Sequence, residues 1–207
     1  MDAGEPKWRR RKEARPTEII AAALEVFSEK GFAAARLDDI AARAGVSKGA
    51  LYLYFETKQD LFRAVVRDSV APNLTAIEQA VSAVDLPFAQ VVRMLLSRMA
   101  DVMMTTRLPS VAKVVIAESR NFPDLARIWH DDVVSRALGV ATTLIERAQA
   151  KGEVKPGEPR TYAFSLAGPM LMGALWREVF EPVGARPVDL REVARQHAET
   201  ALQGMLL

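Results

Sequence analysis

The 207-residue sequence contains no cysteine and only two histidines. The absence of cysteine excludes disulfide bonds, thiolate metal sites and cysteine nucleophiles, and it suits a reducing compartment. The longest run without a charged residue, 161–176, has 16 residues, whereas a membrane-spanning helix needs about 20. The first sixteen residues are basic but have no apolar core, so they do not form a signal peptide. We therefore expect a soluble, cytoplasmic protein that makes no membrane contact.

Strand-like patterns are also scarce. Apolar and polar residues never alternate for more than four positions, whereas apolar residues recur throughout at helical spacing. The pattern predicts an all-α protein of about nine helices. Short, closely punctuated helices precede residue 60 and longer apolar segments follow residue 80, which predicts a small N-terminal domain joined to a larger helical bundle.

The net charge of +2 is unevenly distributed along the chain. Residues 1–59 hold 11 basic and 9 acidic side chains, and the remainder is balanced. The segment 7–15 concentrates the positive charge. A basic end on a neutral body indicates a polyanionic partner, although a solvated polar tail would have the same composition.

The stretch GVSKGALYLYFETKQDLF, residues 45–62, is typical of two helices meeting at a tight turn. Gly45 suits the left-handed end of the preceding helix, and Ser47 suits the N-cap of the next one. Two short helices joined by such a turn form a helix-turn-helix. On the second helix, Leu51 and Phe55 fall on one side and are predicted to face the core.

The opposite side of this helix carries small and apolar residues. Gly49, Ala50 and Leu53 fall on it, and Tyr52 and Tyr54 project on its flanks. A DNA major groove accounts for this pattern, because small residues allow close approach, Leu53 can contact a thymine methyl and the tyrosine hydroxyls can reach phosphates. A solvent-facing helix with two exposed tyrosines explains each residue singly but not the set.

Two lysines add positive charge to this region. Lys48, at the start of the helix, can donate to guanine or to a phosphate. Lys58 lies near the start of the following helix, where free backbone N–H groups also favour an anion.

Residues 15–65 resemble the DNA-binding domain of the TetR/AcrR family of transcriptional regulators. The resemblance rests on FSEKGF (27–32) and LDDIAARAGVSKGALYLYFETKQDLF (37–62). It implies a homodimer that inserts one helix per subunit into the major groove, with a basic arm at 1–14, a DNA-binding domain at 15–62 and an effector-binding and dimerisation domain at 63–207. The predicted DNA-binding residues are Arg36, Ser47, Lys48, Gly49, Ala50, Tyr52, Leu53, Tyr54 and Lys58.

The sequence departs from the family pattern at Ala35-Arg36, where a Thr or Ser usually precedes the second helix. Arg36 can replace the phosphate contact of that hydroxyl but not its cap, which Asp38 and Asp39 partly replace by their charge. Leu53 occupies a position that is often polar or aromatic. The basic segment Lys7 to Lys12 is expected to precede the first helix and to follow the DNA backbone or enter the minor groove.

The remainder of the chain offers weaker signals of chemistry. His130-Asp131-Asp132 suggests a metal-dependent hydrolase, but the only other histidine is His197, so a surface histidine beside solvated carboxylates is the better interpretation. We therefore expect no catalytic activity, no cofactor and no bound metal. Met and aromatic residues that can line an effector pocket, or simply form core, are Met99, Met103, Phe122, Trp129, Tyr162, Met170 and Trp176.

The last two apolar segments, 161–180 and 188–205, carry small residues at helix-pairing positions. These are Ala163, Ala167, Gly173, Ala174, Ala194, Ala198 and Ala201. They suit a four-helix bundle across a two-fold axis, or packing within one chain. The sequence thus predicts a dimeric repressor of a pseudo-palindromic operator, released by a small apolar or aromatic effector. The alternatives are a hydrolase using His130 and a protein that binds DNA without sequence preference.

Overall fold

A computed structural model describes residues 7–83 and 86–207, with side chains from residue 16 onward except 69–71, 73, 80, 82 and 83. The predicted all-α class is confirmed, since the described residues form ten α-helices and no strand. The helices are α1 (Lys7–Ala34), α2 (Leu37–Arg43), α3 (Lys48–Tyr52), α4 (Lys58–Ala83), α5 (Phe88–Thr105), α6 (Leu108–Glu118), α7 (Pro123–Trp129), α8 (Ser135–Ala150), α9 (Pro159–Val179) and α10 (Leu190–Met205). A π-helical turn, His130–Val134, joins α7 to α8, and a 3₁₀ turn, Glu181–Val183, follows α9.

The start of α1 differs from expectation. Residues 7–14, expected to form an arm ahead of the first helix, belong to α1, because Lys, Arg, Glu and Ala all have high helix propensity. The side chains of Lys7, Trp8, Arg9, Arg10, Arg11 and Lys12 lie outside the described residues, as do residues 1–6 altogether, so their contact with DNA stays a prediction. The stop expected at Gly31 is present as a break in α1, with φ 76° and ψ 167°.

The chain forms two compact units. The first comprises residues up to Asp68 together with Val114–Ile128, and the second comprises Ser69–Lys113 and Trp129–Leu207. The sequence analysis placed all residues from 63 onward in the C-terminal domain. In the structure, residues 114–128 belong to the same unit as the N-terminal helices. This segment is held there by Phe122, whose ring packs edge-on against Phe32 at 5.0 Å.

Aromatic packing forms the core of the first unit. The rings of Phe27, Phe32 and Phe62 lie with centroids 5.2 to 5.9 Å apart. Ile40 of α2 and Leu51 of α3 are fully buried. Since both short helices are anchored by their apolar sides, their polar sides are presented to solvent in a defined orientation.

The second unit is built around α5, α9 and α10, whose buried residues form one cluster with those of α8. Small residues allow α9 and α10 to approach each other closely. A Cβ at Gly173 would overlap the side chain of Leu190, and Ala163, Ala194 and Ala198 are buried between helices of the same chain. These small residues therefore serve intrachain packing. None of the described helices combines the length and apolar character that a bilayer crossing requires.

Candidate nucleic-acid interface

The turn between α2 and α3 is set by a glycine in the left-handed conformation. Gly45 has φ 66°, and its N–H donates to the Ala42 carbonyl at 3.2 Å. The Val46 N–H donates to the Ala41 carbonyl at 3.0 Å. This pair of bonds is the Schellman arrangement that closes a helix C-terminus, so the predicted helix-turn-helix geometry follows directly from the glycine.

α3 begins and ends as local hydrogen bonds dictate. The Ser47 hydroxyl accepts from the Ala50 N–H at 3.2 Å, the predicted N-cap. The helix ends at Tyr52, and the N–H groups of Tyr54 and Phe55 just beyond it both donate to the Leu51 carbonyl at 3.0 Å. Leu51 is fully buried and Phe55 nearly so, which confirms their predicted core-facing orientation.

The solvent side of α3, here called the α3 face, comprises Lys48, Gly49, Ala50, Tyr52 and Leu53. Leu53 is 84% exposed and Tyr52 is 44% exposed. A Cβ at Gly49 would meet no atom within 4 Å, and the φ angle of Gly49 is not positive. Among the described residues, no contact therefore requires glycine at this position. Tyr54, which the sequence predicts to project on the second flank of α3, is half-buried.

Lys48 is not a free cation. Its Nζ lies 2.8 Å from Oδ1 and 3.0 Å from Oδ2 of Asp38 in the first turn of α2. The hydrogen bond to Asp38 raises the pKa of Lys48 above its usual value. Sequence reasoning assigned Asp38 only to the positive end of α2 and missed this pairing, which spans the turn between two helices.

Lys58 has a structural role instead of the predicted phosphate contact. Its Nζ donates to the carbonyls of Phe32, Ala33 and Ala35 at 2.6, 3.0 and 3.0 Å, and an ammonium has only three donors. It also lies 4.6 Å above the Phe32 ring. Burial lowers the pKa of Lys58, while the charge of Glu118 acts in the opposite direction. Lys58 thus satisfies backbone carbonyls at the C-terminal end of α1 and in the link to α2.

Glu118 of α6 supports the same segment, a role that sequence reasoning missed. Its Oε1 accepts from the Ala33 N–H at 3.0 Å and lies 3.0 Å from where a Cβ at Gly31 would stand. No local signal in the sequence links positions 33 and 118.

Arg36 keeps the availability that the sequence predicts. It stands at the N-cap of α2 without a side-chain cap bond, and the charges of Asp38 and Asp39 in the first turn partly replace that cap. The neighbouring cations are engaged: Lys30 lies 2.8 Å from Asp39, and Arg43 lies 2.6 Å from Glu29. Among the described side chains, Arg36 makes no such hydrogen bond or ion pair.

Comparison with known proteins assigns both parts of the chain. A sequence profile described as "Bacterial regulatory proteins, tetR family" matches residues 19–65. A second profile, "Tetracyclin repressor-like, C-terminal domain", matches residues 88–190. The chain belongs to the TetR family. The resemblance seen in the sequence is thereby confirmed.

Relatives of this TetR-family chain include regulators of different kinds. It is 41% identical over 69 residues to the HTH-type transcriptional activator FasR of Mycolicibacterium smegmatis, a match that spans only 33% of this chain and 32% of FasR. The structure of FadR from Bacillus subtilis in complex with stearoyl-CoA has a TM-score of 0.74 at 20% identity, covering 91% of this chain and 98% of FadR. SmeT, the repressor of the Stenotrophomonas maltophilia multidrug efflux pump SmeDEF, has a TM-score of 0.70 at 22% identity, covering 95% of this chain and 92% of SmeT. The two structures establish the fold.

The predicted effector-pocket residues are brought together only in part. Met103 and Met170 belong to the core cluster of the second unit, with Met99 and Tyr162 packed against it. Phe122 instead lies in the first unit against Phe32. The other two occupy separate positions.

The ring of Trp176 packs at a tilt of 47° against that of Phe180, with the centroids 5.1 Å apart, and its indole N–H donates to the Arg186 carbonyl at 3.0 Å. Trp129 is half-buried at the end of α7. Of the predicted residues, the structure thus brings together Met99, Met103, Tyr162 and Met170, and the effector pocket itself stays a prediction.

The two histidines lie on separate elements. His130 Nδ1 is 2.7 Å from Asp131 Oδ1 in the π-helical turn, and His197 Nε2 of α10 is 3.1 Å from the Ser165 carbonyl. Within residues 7–83 and 86–207, no three His, Cys, Asp or Glu side chains converge as metal ligands would.

Proposed function

We propose that this TetR-family chain is a sequence-specific DNA-binding regulator whose α3 face lies in the major groove. The observation that carries the proposal is the α3 face itself: Gly49 has open space beside it, and Leu53 is almost fully exposed. A helix interior glycine costs about 1 kcal/mol relative to alanine. Close approach to base edges supplies the reason for that cost.

The α3 face divides by chemistry into base-reading and phosphate-contacting positions. Lys48, Gly49 and Ala50 lie toward the bases, with Leu53 available to a thymine methyl. The hydroxyl of Tyr52 contacts either a base or the DNA backbone. Arg36 supplies a phosphate contact, because its side chain is exposed and, among the described side chains, it forms no hydrogen bond or close ion pair that would have to be broken first.

Ser47 and Tyr54 complete the proposed set. Ser47 is exposed, and its hydroxyl caps α3, which places it at the helix N-terminus where a phosphate is favoured. Tyr54 is half-buried on the flank and is assigned to the backbone. Lys58 leaves the set, because its three donors are engaged by carbonyls.

Dimerisation is assigned to an exposed apolar surface on α9. This surface, called the α9 face, comprises Phe164, Leu171, Met172 and Val179, each at least 41% exposed and all on one side of the helix by their spacing. The exposed positions of α10 carry charges such as Arg191, Arg195 and Glu199. In a two-fold dimer, the α9 faces of the two subunits would pack against each other at the apolar centre of the interface and become buried.

A dimer sets the geometry of the operator. Two α3 helices reading successive major grooves require half-sites about 34 Å apart, and a two-fold axis requires them to be pseudo-palindromic. We propose that the protein acts in the cytoplasm as a repressor.

Its proposed signal is a small apolar or aromatic molecule bound in the second unit. A ligand that lowers the affinity for DNA must itself be bound more weakly in the presence of DNA, by the same factor. The core cluster around Met103 and Met170 supports an apolar ligand, because methionine side chains adapt to irregular shapes.

A gel-shift series tests the DNA part of the proposal. Tyr52→Ala and Lys48→Ala should each weaken binding to the DNA upstream of the chain's own gene. Unchanged binding in both variants would show that α3 is not the recognition helix. Competition with random DNA at fixed salt separates a regulator from a protein that recognises only phosphates, since the latter shows no preference.

Thermal shift tests the effector part. Stearoyl-CoA and triclosan serve as apolar probes, and a ligand that raises the melting temperature should also release the DNA. A ligand that stabilises the protein yet leaves DNA affinity unchanged would contradict its role as the releasing signal.

A further inference from the structure

An ion pair lies at the edge of the α3 face. The ammonium of Lys48 is bound by both carboxylate oxygens of Asp38, at 2.8 and 3.0 Å. The side chains are 61% and 48% exposed. Ion pairs this exposed contribute little to folding stability. The contact is better explained by its effect on the position and charge of the Lys48 ammonium.

Asp38 is not required merely to stabilise the start of α2. Asp39 occupies the same first turn and offers its negative charge to the same free N–H groups. Asp39 pairs with Lys30 on α1 at 2.8 Å, whereas Asp38 pairs with a residue of the α3 face. The two adjacent aspartates thus differ in the cation that each one holds.

We propose that Asp38 is a specificity-determining residue that holds the Lys48 ammonium in one position and neutralises it toward DNA in general. The inference rests on the proposed function of the α3 face. Lys48 then engages DNA only where an acceptor in the correct register, a guanine edge or one particular phosphate, replaces the carboxylate.

The physical basis is the difference between the two modes of binding. Binding to random DNA depends on how many cations neutralise phosphates and release counterions, and a lysine already paired contributes less. Binding to the operator adds contacts that require one orientation of each side chain. Asp38 therefore weakens binding to random DNA more than binding to the operator, which raises their ratio.

Asp38→Asn tests the inference, and Asp39→Asn is its matched control. Both remove one negative charge from the first turn of α2 and release one lysine. The Asp39 charge also acts on Arg36 and Arg43, so the control includes any gain from a stronger positive charge at Arg36. The probes are a random-sequence duplex of about three helical turns and the upstream duplex, followed by fluorescence anisotropy over a salt series. Circular dichroism melting verifies that each variant is folded.

We expect Asp38→Asn to tighten binding to the random duplex about tenfold at about 0.1 M salt and to steepen the log–log salt slope by about 0.9 per subunit. Its preference for the upstream duplex over the random one should fall. Asp39→Asn should change the random-duplex affinity by less than about threefold, as screened charges do.

A double-mutant cycle identifies Lys48 as the intermediary. In a Lys48→Gln background, Asp38→Asn should change random-duplex affinity no more than Asp39→Asn does. Two results would overturn the inference and leave the proposed function intact. One is equal effects of Asp38→Asn and Asp39→Asn in the wild-type background, and the other is a full Asp38→Asn effect in the Lys48→Gln background. A wild-type protein that binds neither duplex would overturn the proposed function and the inference with it.

Discussion

The α3 face and the α9 face both expose apolar side chains, yet they differ in what surrounds those side chains. On the α3 face, Leu53 lies among a glycine, an alanine, a tyrosine hydroxyl and the Lys48–Asp38 pair. On the α9 face, Phe164, Leu171 and Met172 form a stripe of large residues. The first surface suits a partner that is polar and charged, and the second suits another apolar surface. Exposed apolar area alone therefore does not identify a partner.

The largest expected effect comes from a charge placed on the α9 face. Met172→Glu should convert the proposed dimer to a monomer, because a buried unpaired carboxylate is costly at an interface. Loss of the linked second half-site should then weaken operator binding by a factor on the order of 10² to 10⁴. Analytical ultracentrifugation and gel shift measure the two effects.

Thr143→Glu, at an exposed position of α8, is the control and should leave the dimer intact. A Met172→Glu protein that remains fully dimeric would remove the α9 face from the interface.

A bulky residue at Gly49 tests whether the α3 face needs close approach to DNA. Gly49→Leu should reduce operator affinity by on the order of 100-fold, since each lost base contact is worth about 1–3 kcal/mol and the helix can no longer approach the groove. Stability should be unchanged or slightly higher, because the added Cβ meets no atom within 4 Å and leucine favours the helix.

Gly139→Leu on α8 is matched, because a Cβ there also meets nothing within 4 Å. Its DNA affinity should equal that of the wild type. If both variants bound the operator equally well, open space beside Gly49 would have no functional meaning.

The same substitution at two lysines separates a DNA contact from a structural one. Lys58→Met should lower the free energy of unfolding by about 1–3 kcal/mol, because the carbonyls of Phe32, Ala33 and Ala35 lose their donor. The salt dependence of its DNA binding should stay the same. Urea unfolding and salt titrations provide the measurements.

Lys48→Met should show the reverse, with weaker DNA binding and an unchanged free energy of unfolding, because the ion pair of Lys48 with Asp38 is exposed. A reduced salt slope in the Lys58→Met protein, with its stability unchanged, would restore Lys58 as a phosphate contact.

The smallest expected effect concerns Leu53. Leu53→Ala should weaken operator binding only a few-fold, through loss of an apolar contact to a thymine methyl, and should leave the melting temperature unchanged because Leu53 is 84% exposed. Val183→Ala, at a side chain 80% exposed in the second unit, should alter neither quantity. Replacing the contacted thymine with uracil should abolish the difference between the Leu53→Ala protein and the wild type.

The helix-turn-helix could be predicted in detail because its signals are local. Gly45, Ser47 and Leu51 act on groups within about one helical turn, so their spacing in the sequence states their role. Tertiary packing decided the roles that residue spacing left open. The small residues of α9 and α10 suited two arrangements equally, and only the close approach at Gly173 shows which one they serve within the chain.

By itself, the sequence determined the helical class, the turn before α3 and which side of α3 faces the core. The tertiary structure alone decided that Lys58 holds carbonyls 23 to 26 residues away, that Lys48 meets Asp38 and that Glu118 supports the chain at Ala33, 85 residues distant. Local hydrogen bonds follow from residue spacing. A contact between distant segments depends on how whole helices pack, and no short pattern encodes that packing.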